Sequence, residues 1–261
     1  MKYILVILFI SLVIPVYSQE AIYSNRDFFI IKNIIGENEE YETPYYIFRS
    51  EYEYPKIMID ACIHGDEIAG AIACDSVMKY LDVTKGTVVF VPRVNIKAYN
   101  SGVRGVNVDL NQYFPGRKDS VSFYEESLAY DFMNMIKENR PDVVINLHEA
   151  WTKYDDYKYQ RQHDKSFGQT LITNQETTPS FLSEAMIKIN SKIDIPEHKF
   201  RIQYFPYKPN HSMDNIIEKL KTPSFTIETL RTLTLDERIN YQIICILSFI
   251  KQAGVKFKYY H

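Results

Sequence analysis

His64 and Glu67 stand three residues apart in the stretch DACIHGDEIAG, residues 60–70. A histidine and a carboxylate at that spacing can share one metal ion. They can equally be two polar residues opening a helix, with Asp66 and Glu67 serving its dipole. His148 follows the apolar run DVVINL, residues 142–147. A catalytic zinc takes three protein ligands and keeps one position for water, and two histidines with one glutamate form one such set. His64, Glu67 and His148 supply it. Taken alone, His148 also reads as a satisfied histidine at a strand end.

These residues need a scaffold that brings them together. Runs 28–34, 45–48, 56–63, 87–94, 142–147, 169–174, 199–205 and 224–230 have the apolar, β-branched character of strands. Residues 66–81, 123–139, 179–193, 212–221 and 235–254 carry apolar residues at helical spacing. Residues 95–120 are polar, with Asn, Gly and Pro, and read as a long loop. Strands alternating with helices predict an α/β fold with a mainly parallel, covered sheet. Open sheets of this kind bind ligands beyond the carboxyl ends of their strands. His64, Glu67, His148 and Glu228 all fall just past or near such ends, and Asp109 and Asn111 lie in the long loop.

The chain has 261 residues, 46% hydrophobic and 24% charged, which suits one globular domain. A formal net charge of −3 argues against a nucleic-acid partner. Lys2, the apolar run 3–14, Pro15, and small residues at Val16 and Ser18 read as a secretory signal peptide over residues 1–18, leaving 19–261 as the folded domain. An uncleaved anchor is the alternative. Export to the cell surface, periplasm or medium follows, with no stable membrane span after cleavage. The three cysteines, Cys62, Cys74 and Cys245, form no CxxC pair and read as buried free thiols, one disulfide remaining open.

Four segments occur in the order seen in zinc carboxypeptidases: CIHGDE (62–67), VPRVNIKAYNSGVRGVNVDLNQYFPG (91–116), VINLHEA (144–150) and SFTIETL (224–230). The chain resembles the succinylglutamate desuccinylase/aspartoacylase branch of that superfamily. The resemblance implies a single-domain three-layer sandwich, its mixed, mostly parallel sheet covered by helices on both faces. It implies one zinc ion per chain on His64, Glu67 and His148. It makes Glu228 the catalytic carboxylate, Arg104 the cation that polarises the scissile carbonyl, Asp109 the carboxylate that orients a ligand histidine, and Asn111 a substrate-binding amide. Each role is chemically sound: a carboxylate can shuttle the proton of a water, a fixed guanidinium can stabilise an oxyanion, and a ligand histidine gives its second N–H to a carboxylate. Outside the resemblance, Glu228 reads as a paired strand-end carboxylate, Arg104 as a loop arginine and Asp109 as an Asx-turn residue.

Three departures matter. Where the family runs Asp-x-Asn-Arg, with the arginine gripping a substrate carboxylate, this chain has Gln112, which brings no charge. Arg117, Lys118, Arg93 and Arg231 are candidates to replace it, or the substrate lacks a carboxylate there. Asn146 stands where the family often has an aspartate, two residues before the third ligand. The chain also ends soon after the helix 235–254, without the C-terminal β-rich domain of many relatives, which implies a more open cleft. Trp151, Tyr154, Tyr157 and Tyr159 either line that cleft or decorate an exposed loop. The expected activity is hydrolysis of a C–N amide bond in an acylated amino acid or peptide. A carboxypeptidase acting on peptides or peptidoglycan stem peptides is the alternative, and a zinc-containing binding protein without catalysis a third reading.

Overall fold

The computed structural model describes residues 21–25, 28–154 and 166–260. The signal segment 1–18, Tyr157 and Tyr159 lie outside them. The strands are β1 (Ala21–Asn25), β2 (Phe28–Ile35), β3 (Thr43–Ser50), β4 (Lys56–Ala61), β5 (Leu81–Lys85), β6 (Thr87–Val91), β7 (Val143–Ala150), β8 (Thr152–Lys153), β9 (Ser166–Gly168), β10 (Thr170–Thr173), β11 (Arg201–Tyr204), β12 (Ser224–Leu230) and β13 (Lys256–Tyr259). The helices are α1 (Ala69–Tyr80), α2 (Ile96–Ser101), α3 (Tyr124–Asn139), α4 (Ser180–Asn190), α5 (Ser212–Leu220) and α6 (Leu235–Gln252).

One sheet runs in the order β1-β2-β3-β6-β4-β7-β12-β10-β11. Its centre, β6-β4-β7-β12, is parallel. Antiparallel pairs flank the centre, β3 against β6 and β10 against β12. The central strands are Val/Ile-rich and buried along almost their whole length, as strands covered on both faces must be. On one face Ile57, Ile59, Ile145, Leu147 and Ile227 pack with Val77 of α1, Leu182 of α4 and Phe249 of α6. On the other, Met58, Val89 and Val144 pack with Leu128 and Phe132 of α3 and Ile216 of α5. The layered α/β sandwich expected from the sequence is therefore the fold.

The differences lie where the site is built. The helix expected from residue 66 begins at Ala69, because residues 62–68 turn to present His64 and Glu67. The strand expected to end at 147 continues to Ala150, so His148 is held inside β7. The expected loop 95–120 contains α2 and a short 3-10 turn, Leu110–Gln112. The antiparallel pair β5–β13 was not expected; both strands are short and interleave charged with apolar residues. Cys62, Cys74 and Cys245 are buried free thiols.

Candidate metal centre and catalytic site

β4 stops at Ala61, and Cys62 turns the chain with a φ of 56°, in the left-handed region that residues with a Cβ rarely adopt. Backbone hydrogen bonds pin the returning segment: Val94 N–H to Ala61 O, Asn95 N–H to Cys62 O (both 2.9 Å) and Gly65 N–H to Arg104 O (3.1 Å). Gly65 is required, since a Cβ there would stand 2.2 Å from Ala98 C and 2.3 Å from Tyr99 N. The start of α2 thus lies directly against the His64 turn. Asn95 caps that helix, its Oδ1 accepting from Ala98 N–H (3.2 Å) and from the Tyr124 hydroxyl (2.7 Å).

The turn places His64 Nδ1 2.7 Å from Glu67 Oε1, and β7 brings His148 Nδ1 2.9 Å from Glu67 Oε2. The two Nδ1 atoms are 3.2 Å apart. All three side chains are buried, with one ligand atom from each within 4.8 Å of the others. The donor set fits zinc. Zn–N bonds of about 2.0–2.1 Å place tetrahedral ligand atoms roughly 3.3 Å from one another, close to the spacing of these nitrogens.

His64 Nε2 faces Asp109 Oδ1 at 3.0 Å. A carboxylate accepts, so Nε2 donates, and Nδ1 is the nitrogen left to face the cluster. Burial works against a charged His64, but Glu67 and Asp109 outweigh it and raise its pKa to about 9. Burial would raise Glu67, yet His64 and His148 hold it well below the carboxylate range. Burial lowers His148. Asp109 is likewise lowered against its own burial by His64 and Arg104. Arg104 spans the two carboxylates, Nη1 to Glu67 Oε1 at 3.2 Å and Nε to Asp109 Oδ2 at 3.0 Å, and its side chain remains 51% exposed.

Glu228 stands opposite His148 in the β12–β7 register, so both side chains leave the same face of the sheet. Its Oε2 is buried and, among the described residues, has no hydrogen-bond partner. Burial, then the charge of Glu67, raises its pKa well above the usual value.

The remaining residues fall into two groups. Asn111 Oδ1 accepts from Ser212 N–H at 3.0 Å, and Gln112 Nε2 meets His211 Nε2 at 3.1 Å, so both border the cluster through their neighbour Asp109. Arg117 Nε pairs with Glu126 Oε2 at 2.5 Å, and both residues border the same pocket as Gln112. Among the described residues Asn146 hydrogen-bonds to no candidate ligand. With its amide nitrogen turned to Asp60 it donates to both carboxylate oxygens, at 2.9 and 3.2 Å, and accepts from Ser224 Oγ. The reason is register: Asn146 is the cross-strand partner of Asp60, one row below His148. Trp151 is exposed beside the Arg231 guanidinium, 4.4 Å from the ring centroid.

Four residues were not anticipated. Glu149 donates its N–H to Glu67 Oε2 (3.0 Å), and its carboxylate accepts from Ala69 N–H (3.1 Å) and pairs with Arg238. Gln242, fully buried, donates to His148 O and Thr229 Oγ1, both at 3.1 Å. Arg238 and Gln242 are polar residues four apart on the packed face of α6, a placement that marks them in the sequence. His211, read from the sequence as an ordinary polar residue, stacks on Phe205 and pairs with Gln112. Nothing in its local sequence signals that.

The fold is a parallel-centred α/β sandwich with a candidate His–Glu–His metal centre at the carboxyl edge of its sheet. A model of the succinylglutamate desuccinylase/aspartoacylase catalytic domain matches residues 53–242, and the chain belongs to that family. Solved structures share the fold. The mDAP-bound form of Helicobacter pylori Csd4, a D,L-carboxypeptidase, superposes with a TM-score of 0.66 at 20% identity, over 79% of this chain and 52% of that one. An aspartoacylase family protein from Mesorhizobium loti gives 0.63 at 15% identity, over 91% and 71%. A succinylglutamate desuccinylase/aspartoacylase from Rhodobacter sphaeroides gives 0.63 at 18%, over 88% and 67%. The chain spans about half the length of Csd4. No curated protein sequence matches.

Proposed function

We propose that this chain is an exported zinc-dependent hydrolase that cleaves the C–N bond of an acylated amino acid or peptide. The observation that carries the reading is the convergence of His64 Nδ1, Glu67 and His148 Nδ1 beside the partnerless Oε2 of Glu228. His64, Glu67 and His148 would hold the ion. Bound there, zinc supplies Lewis-acid polarisation and a water acidic enough to react at neutral pH.

The chain's own groups do the rest. Glu228 takes a proton from the attacking water and delivers it to the departing nitrogen; its raised proton affinity suits a group that must carry a proton midway. Arg104, positioned by Asp109, faces the mouth with part of its guanidinium free to hold the oxygen that gains charge. Asp109 keeps the His64 Nδ1 lone pair aimed at the cluster. Glu149 and Gln242 fix the end of β7 from the opposite face. Among the described residues no helix is long and apolar enough to cross a membrane.

A carboxypeptidase acting on stem peptides is the second reading, favoured by the shared fold with Csd4. Metal analysis should find about one zinc per chain, and a folded metal-free protein unable to take up zinc would remove the centre. The zinc-loaded protein should then be given N-acyl amino acids, peptides and muropeptides. Cleavage confined to peptides with free C-termini would select the carboxypeptidase, and no cleavage of any would sink the amide-hydrolase reading.

A further inference from the structure

We propose that the Gln112–His211 pair is the specificity-determining rim of this site, and that it selects an uncharged amide over a free carboxylate. The bound group would then be a peptide bond of a chain that continues past the site, or a terminal carboxamide. The proposal rests on the amide-hydrolase reading and names its substrate class.

The rim is built from two segments. Gln112 Nε2 meets His211 Nε2 at 3.1 Å, Asn111 Oδ1 accepts from Ser212 N–H at 3.0 Å, and Phe114 N–H donates to Asn210 O at 3.2 Å. Asp109, three residues before Gln112, is the carboxylate on His64, so the rim borders the metal cluster. The His211 ring stacks on Phe205 with centroids 5.9 Å apart and planes inclined by 17°. It is half-buried and within electrostatic reach of His148, Asp109 and His64.

Protonation follows from hydrogen-bond chemistry. An amide nitrogen can only donate, so His211 Nε2 accepts and the imidazole is neutral, with its proton on Nδ1. Among the described residues nothing engages Gln112 Oε1. Gln112 therefore keeps one acceptor, Oε1, and one spare N–H donor. A peptide or carboxamide group carries the complementary donor and acceptor. A carboxylate only accepts, so it would meet Oε1 with like polarity and gain no counter-charge.

The cations that could change this are committed elsewhere. Arg117 pairs with Glu126, Arg93 with Asp75, Lys118 with Glu39 and Asp131, and Arg231 with Asp66. Arg104 pairs with Glu67 and Asp109, and the free part of its guanidinium is the part assigned to the oxygen that gains charge. Lys208 lies over the Phe205 ring, 5.7 Å from its centroid, and is the cation that the test must exclude.

The test is calorimetric binding to the zinc-loaded Glu228→Gln protein. One short peptide is compared as the free acid, as the C-terminal carboxamide, and extended by one residue that is itself amidated. The two uncharged forms should bind about tenfold or more tightly than the acid, by loss of matched hydrogen bonds in the latter. Gln112→Arg should reverse the order, and His211→Ala should erode the preference without changing zinc stoichiometry. Equal or tighter binding of the acid, or binding of none of the three, overturns the proposal. Acid binding that Lys208→Ala abolishes would transfer the grip to that lysine. Carboxamide and extended peptide separate the two sources of the amide. Failure of the wild type to cleave any peptide, with the binding order intact, would remove the hydrolase reading and leave the rim.

Discussion

Glu228 of β12 and His148 of β7 are direct cross-strand partners in a parallel register. Parallel pairing sends both side chains to one face, and a one-residue slip would turn Glu228 toward α6. Among the described residues no donor reaches Glu228 Oε2, which is buried on the face that carries His148. Glu228→Gln preserves shape and removes the ability to carry a proton. Zinc stoichiometry should be unchanged, and kcat should fall about 10²–10⁴-fold, the usual contribution of general acid–base catalysis. Steady-state kinetics on the metal-loaded variant checks this, and near wild-type turnover would remove Glu228 from the mechanism.

Gly65 is a tight backbone approach beside the candidate ligands, with no space for a Cβ against Ala98 and Tyr99. Because the clash is with backbone, side-chain rotation cannot relieve it. Gly65→Ala should displace α2 or the His64 turn, costing about 1–3 kcal/mol as an overpacked position does, and should weaken zinc uptake. Denaturant unfolding and zinc competition on the same sample test both. An unaltered zinc affinity would show that the turn tolerates the shift.

The sheet centre was legible in the sequence because strands buried on both faces leave continuous apolar runs; KIMIDA and TVVFV need no tertiary knowledge to read. The candidate ligands were legible because His64, Glu67 and His148 fall where those strands end, and the structure brings them together. The rim was not. His211 acts through Gln112, ninety-nine positions away, and only the packing of the α5 N-terminus on the 3-10 turn creates the pair. The setting of Arg117 was hidden for the same reason: its charge is plain in the sequence, but its direction is set by Glu126 on α3. Short β5 and β13 were missed because each satisfies the other and neither carries a strong apolar signal.

Gln242 holds the end of β7 from beneath, donating to His148 O and Thr229 Oγ1 from a fully buried position. Gln242→Leu keeps the volume and strands both acceptors. The expected cost is about 1–3 kcal/mol of stability and roughly 10–100-fold in zinc affinity, the scale on which supports of metal ligands act. Gln242→Glu retains size and polarity but offers no N–H donor when ionised, and should fail similarly above neutral pH. Zinc affinity unchanged in both variants would show that β7 is held without this contact.

His64 supplies a pH test with a definite sign. In the metal-free protein Glu67 and Asp109 raise its pKa to about 9 against the effect of burial, compared with about 6.5 in an unfolded chain. A raised folded-state pKa means that protonated His64 stabilises the fold. That contribution, on the order of 3 kcal/mol, is complete below about pH 6.5 and is lost as pH rises through about 9. The Tm of the metal-free protein should therefore fall across that interval. Glu228 and Asp60, both raised by burial, act in the same sense, so His64→Gln is the control that isolates the histidine and should reduce the slope between pH 6.5 and 9. Zinc needs the same Nδ1 lone pair, and its uptake must displace the proton. Its apparent association constant should climb by about tenfold per pH unit over this range and level off above it. Calorimetric titrations in buffers of different ionisation enthalpy count the proton directly, and uptake without proton release at pH 7 would show that His64 is already neutral before the metal arrives.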